Sequence, residues 1–316
     1  MKKRSTIFLV LAFLVGLSLL LYPTVSNYWN SMHASQAVAN YSDEVNDLNE
    51  KEYQELLQDA RAYNKRLCQE SVSATAGETD SQDDTETDSK AASYSLEGEQ
   101  ELEYQSLLDV TGTGIMGYIE IPNIDISLPI YHGTDADVLQ IGVGHLEWTS
   151  LPVGGSGSHC VLSGHRGLPS AKLFTNLDKL VEGDTFVIRT LNEVLTYQVD
   201  QILIVEPEDV SALQIEKGKD LCTLVTCTPY GVNSHRLLVR GYRVENASEE
   251  IRLTADATQI DPILVAPALA LPVLLVLLIL LLVGKPRRKE KKEEEEKKAM
   301  SPRGNTRGKE SREDRV

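Results

Sequence analysis

The sequence predicts a mainly β fold, a closed barrel of about eight strands with short helices, behind a long amphipathic helix and between two membrane-spanning helices. Three observations predict it. From residue 115 onward, short runs rich in Val, Ile, Thr and Tyr alternate with Gly, Asp and Pro turns. Before that, apolar residues recur every three or four positions over 34–68. Two long apolar runs, near the two ends, each adjoin a basic cluster.

The first apolar run, residues 7–22, is interrupted only by Gly16 and Ser18 and follows Lys2-Lys3-Arg4. Its length suits a signal peptide or a short membrane span. Ala37-Val38-Ala39 resembles a cleavage site, but it lies too far beyond the run for ordinary processing. Segment 1–23 is therefore read as a cytoplasmic stub and retained anchor. Over 34–68, Val38, Tyr41, Val45 and Leu48 form one stripe, and Tyr53, Leu56, Ala60, Tyr63 and Leu67 continue it after a phase shift. The opposite face is dense in Glu, Asp, Gln and Lys, so the helix is expected to pack on the barrel. A coiled-coil partner is the rival, disfavoured by the short run and broken register.

Segment 69–109 is expected to be mobile. Residues 71–103 hold ten acidic side chains against the single Lys90. Too little apolar surface is available there to offset chain entropy. Strands are expected at 117–121, 128–131, 144–146, 159–163, 185–190, 194–205, 221–227 and 236–244, with short helices at 134–140 and 170–177. The barrel domain is thus 110–246, followed by a linker over 247–262. The second span is 263–284. Within it, 273–283 are eleven consecutive strong apolar residues, worth about −5 kcal/mol at roughly −0.5 each on an insertion scale. Pro267 and Pro272 would kink its start. Lys285-Pro286-Arg287-Arg288-Lys289 follows and opens a charged tail, 285–316. The positive-inside rule puts both termini in the cytoplasm and 22–262 outside.

The formal net charge is −16 over 316 residues. The N-terminal cluster carries three basic residues, and the tail thirteen basic against eight acidic, leaving the middle at −24. Such a surface excludes nucleic acid as a partner. No internal repeat and no metal-ligand spacing occurs, so neither a cofactor nor a metal is expected.

The chemistry points to three side chains. Thr223-Leu224-Val225-Thr226 reads as a strand end with Cys227 at its tip, before a Pro/Gly loop. Val161-Leu162-Ser163-Gly164-His165-Arg166-Gly167 repeats the layout and delivers an imidazole. Arg236 returns on the next strand. A thiolate is a strong nucleophile toward a carbonyl, and a nearby cation favours the thiolate or the oxyanion it creates. The plain alternative is a buried thiol and a solvated arginine. Of six histidines, His33 sits by the membrane run, and His132, His145, His159 and His235 read as packing or surface residues. Arg240, on the same strand face as Arg236, competes for its role.

Cys68 has no evident mate. Cys160 lies five residues before His165, and Cys222 five before Cys227. If their strands are parallel neighbours, the two upstream cysteines fall side by side; the alternative is a pair of buried small residues.

The Thr223-Leu224-Val225-Thr226-Cys227 run, His165 in Ser-Gly-His-Arg-Gly, and Arg236 nine residues after the cysteine resemble the sortases, membrane-bound cysteine transpeptidases of Gram-positive bacteria. Residues 117–133, GYIEIPNIDISLPIYHG, followed by GVGHLEWTSLPVGG, look like the class C, pilin-polymerising subgroup. The resemblance implies the sortase β-barrel, with Cys227 as nucleophile, His165 as general acid and base, and Arg236 on the oxyanion or the substrate backbone. It implies cleavage of an LPxTG-type sorting signal on a pilin or surface protein, and transfer to a lysine amine of another pilin. Class C members hold a lid with an Asp-Pro-aromatic motif before the barrel. No such triplet occurs here, and Tyr94 is the only aromatic residue between 71 and 103. Two other readings stand beside this one: a housekeeping sortase that joins surface proteins to cell-wall peptide, and a non-catalytic membrane-tethered adhesion module.

Overall fold

The structure, a computed structural model, describes residues 2–77 and 98–246. The expected second span at 263–284, the linker, the charged tail and residues 78–97 of the acidic segment, with Tyr94, lie outside the described residues. The chain divides into two compact units, 1–17 with 260–316, and 18–259; the second holds the barrel.

Helix α1 (Lys2–Asp47) and helix α2 (Glu50–Gly77) replace the single expected helix. The phase shift in the sequence is the break between them. Asn49 Oδ1 accepts the N–H groups of Lys51 (3.1 Å) and Glu52 (3.0 Å), while Glu52 Oε2 accepts the N–H of Asn49 (3.2 Å). This reciprocal cap starts α2 afresh and turns its stripe back onto the barrel. Ala34, Tyr41 and Val45 of α1 and Leu57, Ala60 and Tyr63 of α2 are buried there. The Tyr41 hydroxyl donates to the Met116 carbonyl (3.1 Å) and accepts from the Leu191 N–H (2.7 Å). The Asn64 amide donates to the Leu151 carbonyl (3.0 Å) and accepts the Leu151 N–H (2.7 Å). Within α1, Val10–Asp47 is long and apolar enough to cross a membrane.

Within the segment 69–109 that is expected to be mobile, both ends are helical. Helix α2 runs to Gly77, and residues Glu99–Ser106 form helix α3. Tyr104, Leu107 and Leu108 are buried while Glu99, Glu101 and Glu103 stay exposed. The buried ring and the two leucines that follow the helix dock it, and Glu103 pairs with Arg66 of α2.

The eight expected strands are present, with bounds that differ by at most two residues at either end. They are β1 (Ile115–Ile121), β2 (Ile126–His132), β3 (Val143–His145), β4 (Ser158–Ser163), β5 (Thr185–Thr190), β6 (Glu193–Val205), β7 (Asp220–Thr228) and β8 (His235–Val244). They close a barrel in the order β1-β2-β3-β4-β7-β8-β6-β5. The pairs β2–β3 and β4–β7 are parallel and the others antiparallel. Period-two alternation sends Ile119, Ile121, Phe186, Ile188, Leu224 and Val239 into one continuous core. The expected helix at 134–140 is helix α4 (Ala136–Ile141). The one expected at 170–177 is instead a run of turns ending in a 3-10 turn, Leu177–Lys179. Leu173 has φ +34° and Phe174 is fully buried with its N–H on the His165 carbonyl (3.1 Å). Burying that ring decides the backbone there, against the local helical pattern.

Candidate active site

The site is built on the parallel β4–β7 ladder. Ser158 pairs with Asp220 and Ser163 with Val225, a constant offset of 62 residues. The offset outlasts the strand. The Gly164 N–H donates to the Val225 carbonyl (3.0 Å) and the Thr226 hydroxyl to the Gly164 carbonyl (2.7 Å). Arg166 Nη1 donates to Thr228 Oγ1 (3.2 Å). Position 165 is bracketed by these contacts and so falls abreast of position 227. On the other flank of β7, Arg236 of β8 is the register partner of Cys227. The structure therefore brings all three sequence-predicted residues to one end of three neighbouring strands.

Val161, Val225 and Leu238 turn outward from the barrel into a second apolar cluster with Leu213. Cys227 is two residues past Val225 and Arg236 two before Leu238, so both lie on that outer face. The cluster is roofed by the β6–β7 connection and flanked by Leu146, Trp148, Leu203 and Val205, all only half-buried. The arrangement is a half-covered apolar shelf that ends at the thiol.

The loop carrying His165 is fixed on several sides. A Cβ on Gly164 would lie 2.7 Å from the Phe174 ring. Gly167 has φ +79°, and a Cβ there would lie 2.9 Å from the Tyr230 ring. These contacts explain the glycines on either side of His165-Arg166. Arg166 is ion-paired with Asp178 and lies 5.9 Å from the Tyr230 ring centre. A groove of about 480 Å³ opens beside them, with Thr228 and Pro229 in its wall. From α1, Asn30 Nδ2 donates to the Ser170 carbonyl (3.0 Å) and Asn27 Oδ1 accepts the Lys172 N–H (2.8 Å). Sequence reasoning missed these supports. The arginine inside Gly-His-Arg-Gly was a visible signal, whereas nothing marked Asn27 and Asn30.

The two candidate arginines differ sharply. Arg240 is held by Asp200 through Nε (3.1 Å) and Nη2 (2.9 Å), and by Glu216 through Nη1 (3.1 Å). Hydrogen bonding to Asp200 raises its pKa further. Arg236 donates only to the carbonyls of Asn233 (3.4 Å) and His235 (3.3 Å) and makes no ion pair among the described residues. A guanidinium on two long, bent loop contacts is free to turn toward an anion.

The remaining histidines are engaged elsewhere. His132 lies on the Gly114 (3.0 Å) and Leu107 (2.8 Å) carbonyls. His145 lies between the Tyr104 hydroxyl and the Ser150 carbonyl, each at 2.9 Å. His159 joins the Gln214 carbonyl and the Thr223 hydroxyl, each at 2.8 Å. Burial lowers the pKa of His132 and His159. His33 is exposed on the Trp29 carbonyl and His235 faces Glu206. Among the described residues no group of three metal-ligating side chains converges.

A closed eight-stranded barrel whose parallel strands end in an imidazole and a thiol, with a guanidinium across from the thiol, is the architecture of the cysteine transpeptidases. A family model described as the sortase domain matches residues 119–244. The chain is 48% identical to sortase C1 from Streptococcus agalactiae, with a TM-score of 0.58, covering 67% of this chain and 100% of that one. It is 39% identical to Clostridium perfringens sortase C, solved with a C-terminal cell-wall sorting motif, with a TM-score of 0.54 over 67% and 100% of the two chains. It is also 34% identical to sortase D of Bacillus subtilis over 131 residues, 40% of this chain and 63% of that one. The match thus spans under two thirds of that curated relative's length. The chain belongs to the sortase family.

Proposed function

We propose that the protein is a membrane-anchored cysteine transpeptidase that acts outside the cell and joins pilins. The observation that carries the reading is the register: the offset of 62 sets His165 abreast of Cys227, and β8 sets Arg236 opposite it. In this mechanism the Cys227 thiolate attacks the carbonyl carbon of the scissile peptide bond. The new S–C bond forms as the carbonyl electrons move onto oxygen, where Arg236 donates to the oxyanion. Collapse of that adduct breaks the C–N bond, and the imidazolium of His165 gives its proton to the leaving amine. The product is a thioester on Cys227. An incoming amine then loses a proton to His165 as it attacks, and the thiolate is regenerated.

The half-covered shelf of Leu146, Trp148, Leu203, Val205 and Val225 supports an extended substrate with apolar side chains, as in the Leu-Pro of an LPxTG-type signal. The acceptor assignment, a lysine amine of another pilin, is supported by the likeness to class C sortases over their whole solved length. Asn27 and Asn30 sit just past the apolar part of α1 and hold the loop of His165, which supports a site close to the outer membrane surface. A substrate that is itself membrane-anchored would reach it there.

The full chain in detergent, incubated with an LPxTG-containing pilin, is expected to give a hydroxylamine-sensitive thioester on Cys227, absent in Cys227→Ala, and ladders of joined pilin. A thioester without ladders, but with transfer to cell-wall peptide amines, would move the reading to the housekeeping type. Absence of any thioester would remove the enzymatic reading.

A further inference from the structure

The ladder that aligns the proposed catalytic tips also aligns two cysteines the mechanism does not use. Cys160 of β4 is the direct register partner of Cys222 of β7. Both are fully buried on the inner face, and both are free thiols in this structure. Strands in a sheet lie about 4.8 Å apart, inside the Cα separation of about 4.4–6.8 Å that a disulfide spans. In-register positions of a parallel pair also point their side chains the same way. Two buried thiols on paired positions of one parallel ladder, pointing the same way, are placed to be joined.

We infer that Cys160 and Cys222 form a disulfide across the β4–β7 ladder, a covalent cross-link five residues below the tips that carry His165 and Cys227. The oxidant is of the disulfide class, either a small-molecule disulfide or a thiol oxidoreductase in its disulfide form, met before the barrel closes. The Cys160 sulfur attacks one sulfur of that disulfide and expels a thiolate, which takes up the Cys160 proton. The Cys222 sulfur then displaces the second half from Cys160, and the Cys222 proton goes to the thiolate released. Two cysteine thiols are oxidised and one external disulfide is reduced to two thiols. The same balance holds with Cys222 attacking first, since the oxidant is met before the barrel closes.

The cross-link's relevance to catalysis rests on the proposed roles of His165 and Cys227, while its formation does not. The test is a peptide map of the full chain, refolded in detergent with excess glutathione disulfide and then alkylated under denaturing conditions. The expected result is one linked pair of peptides containing Cys160 and Cys222, with Cys68 and Cys227 alkylated. Reduction should lower the thermal midpoint by roughly 10 °C, from the closure of a loop of about 60 residues. The double variant Cys160→Ala/Cys222→Ala should lose that sensitivity to reductant. If the double variant does not fold, the wild-type map decides alone. Recovery of both peptides alkylated from the oxidised folded protein, or a link from either cysteine to Cys68, overturns the inference. Neither outcome depends on transpeptidation.

Discussion

Arg236→Ala is the substitution that separates chemistry from architecture. Among the described residues its guanidinium donates to the Asn233 and His235 carbonyls, at 3.4 and 3.3 Å. Alanine there leaves no carboxylate unpaired and opens no cavity, so folding stability should stay within about 0.5 kcal/mol of the parent. If the same guanidinium meets the oxyanion, its loss should cost about 2.7–4 kcal/mol of transition-state stabilisation, or 10²–10³ in kcat. Arg240→Ala should do the reverse. It strands Asp200, which takes two of the guanidinium's hydrogen bonds, and leaves Glu216 with Lys219 alone. Both carboxylates keep partial solvent contact, at 28% and 40% exposure, so the stability cost should be limited to about 1–2 kcal/mol. Its effect on kcat should stay within a few-fold. The assay is steady-state cleavage of a fluorogenic LPxTG peptide by the full chain, beside thermal melts of each variant. A tenfold or smaller loss for Arg236→Ala, with a larger one for Arg240→Ala at equal stability, would refute the assignment.

Three further outcomes are expected. Tyr104→Phe removes the hydroxyl that serves both His145 (2.9 Å) and the Gly133 N–H (3.0 Å), leaving two buried polar groups short. Chemical denaturation should show a loss of about 2–4 kcal/mol. Asn49→Ala deletes the cap that starts α2 and should cost about 1 kcal/mol, read as a fall of a few degrees in midpoint. Burial lowers the pKa of His132 and His159 in the fold below their unfolded value of 6.5. Between the lowered value and 6.5 the unfolded chain binds more protons, so stability is fully present above pH 6.5 and is lost as pH falls. Denaturant midpoints measured across this range should fall toward acid, and His159→Gln should flatten the fall.

Alternation and turn chemistry are local, so all eight strands were legible in the sequence, as were the thiol and the imidazole at matching strand ends. The phase shift near Leu48 was legible too, though only the capped Asn49 shows it to be a break between two helices. Helix α3 was not legible. Its docking depends on one ring, Tyr104, meeting His132 and His145 from distant strands, which no window of acidic sequence displays. Nor was the loop shape at 170–177, because a buried Phe174 overrode the helical pattern.

By itself the sequence determined the barrel's strands and the three residue types that meet at its end, since strand periodicity and side-chain chemistry are properties of short segments. The tertiary structure alone decided which segments are neighbours. Only the parallel β4–β7 pairing, with its offset of 62, sets position 165 beside 227 and Cys160 against Cys222. Only the carboxylates of Asp200 and Glu216, folded onto Arg240, show which arginine makes no ion pair among the described residues. Register and ion pairing arise between segments far apart in the chain, and a linear text carries no distance between them.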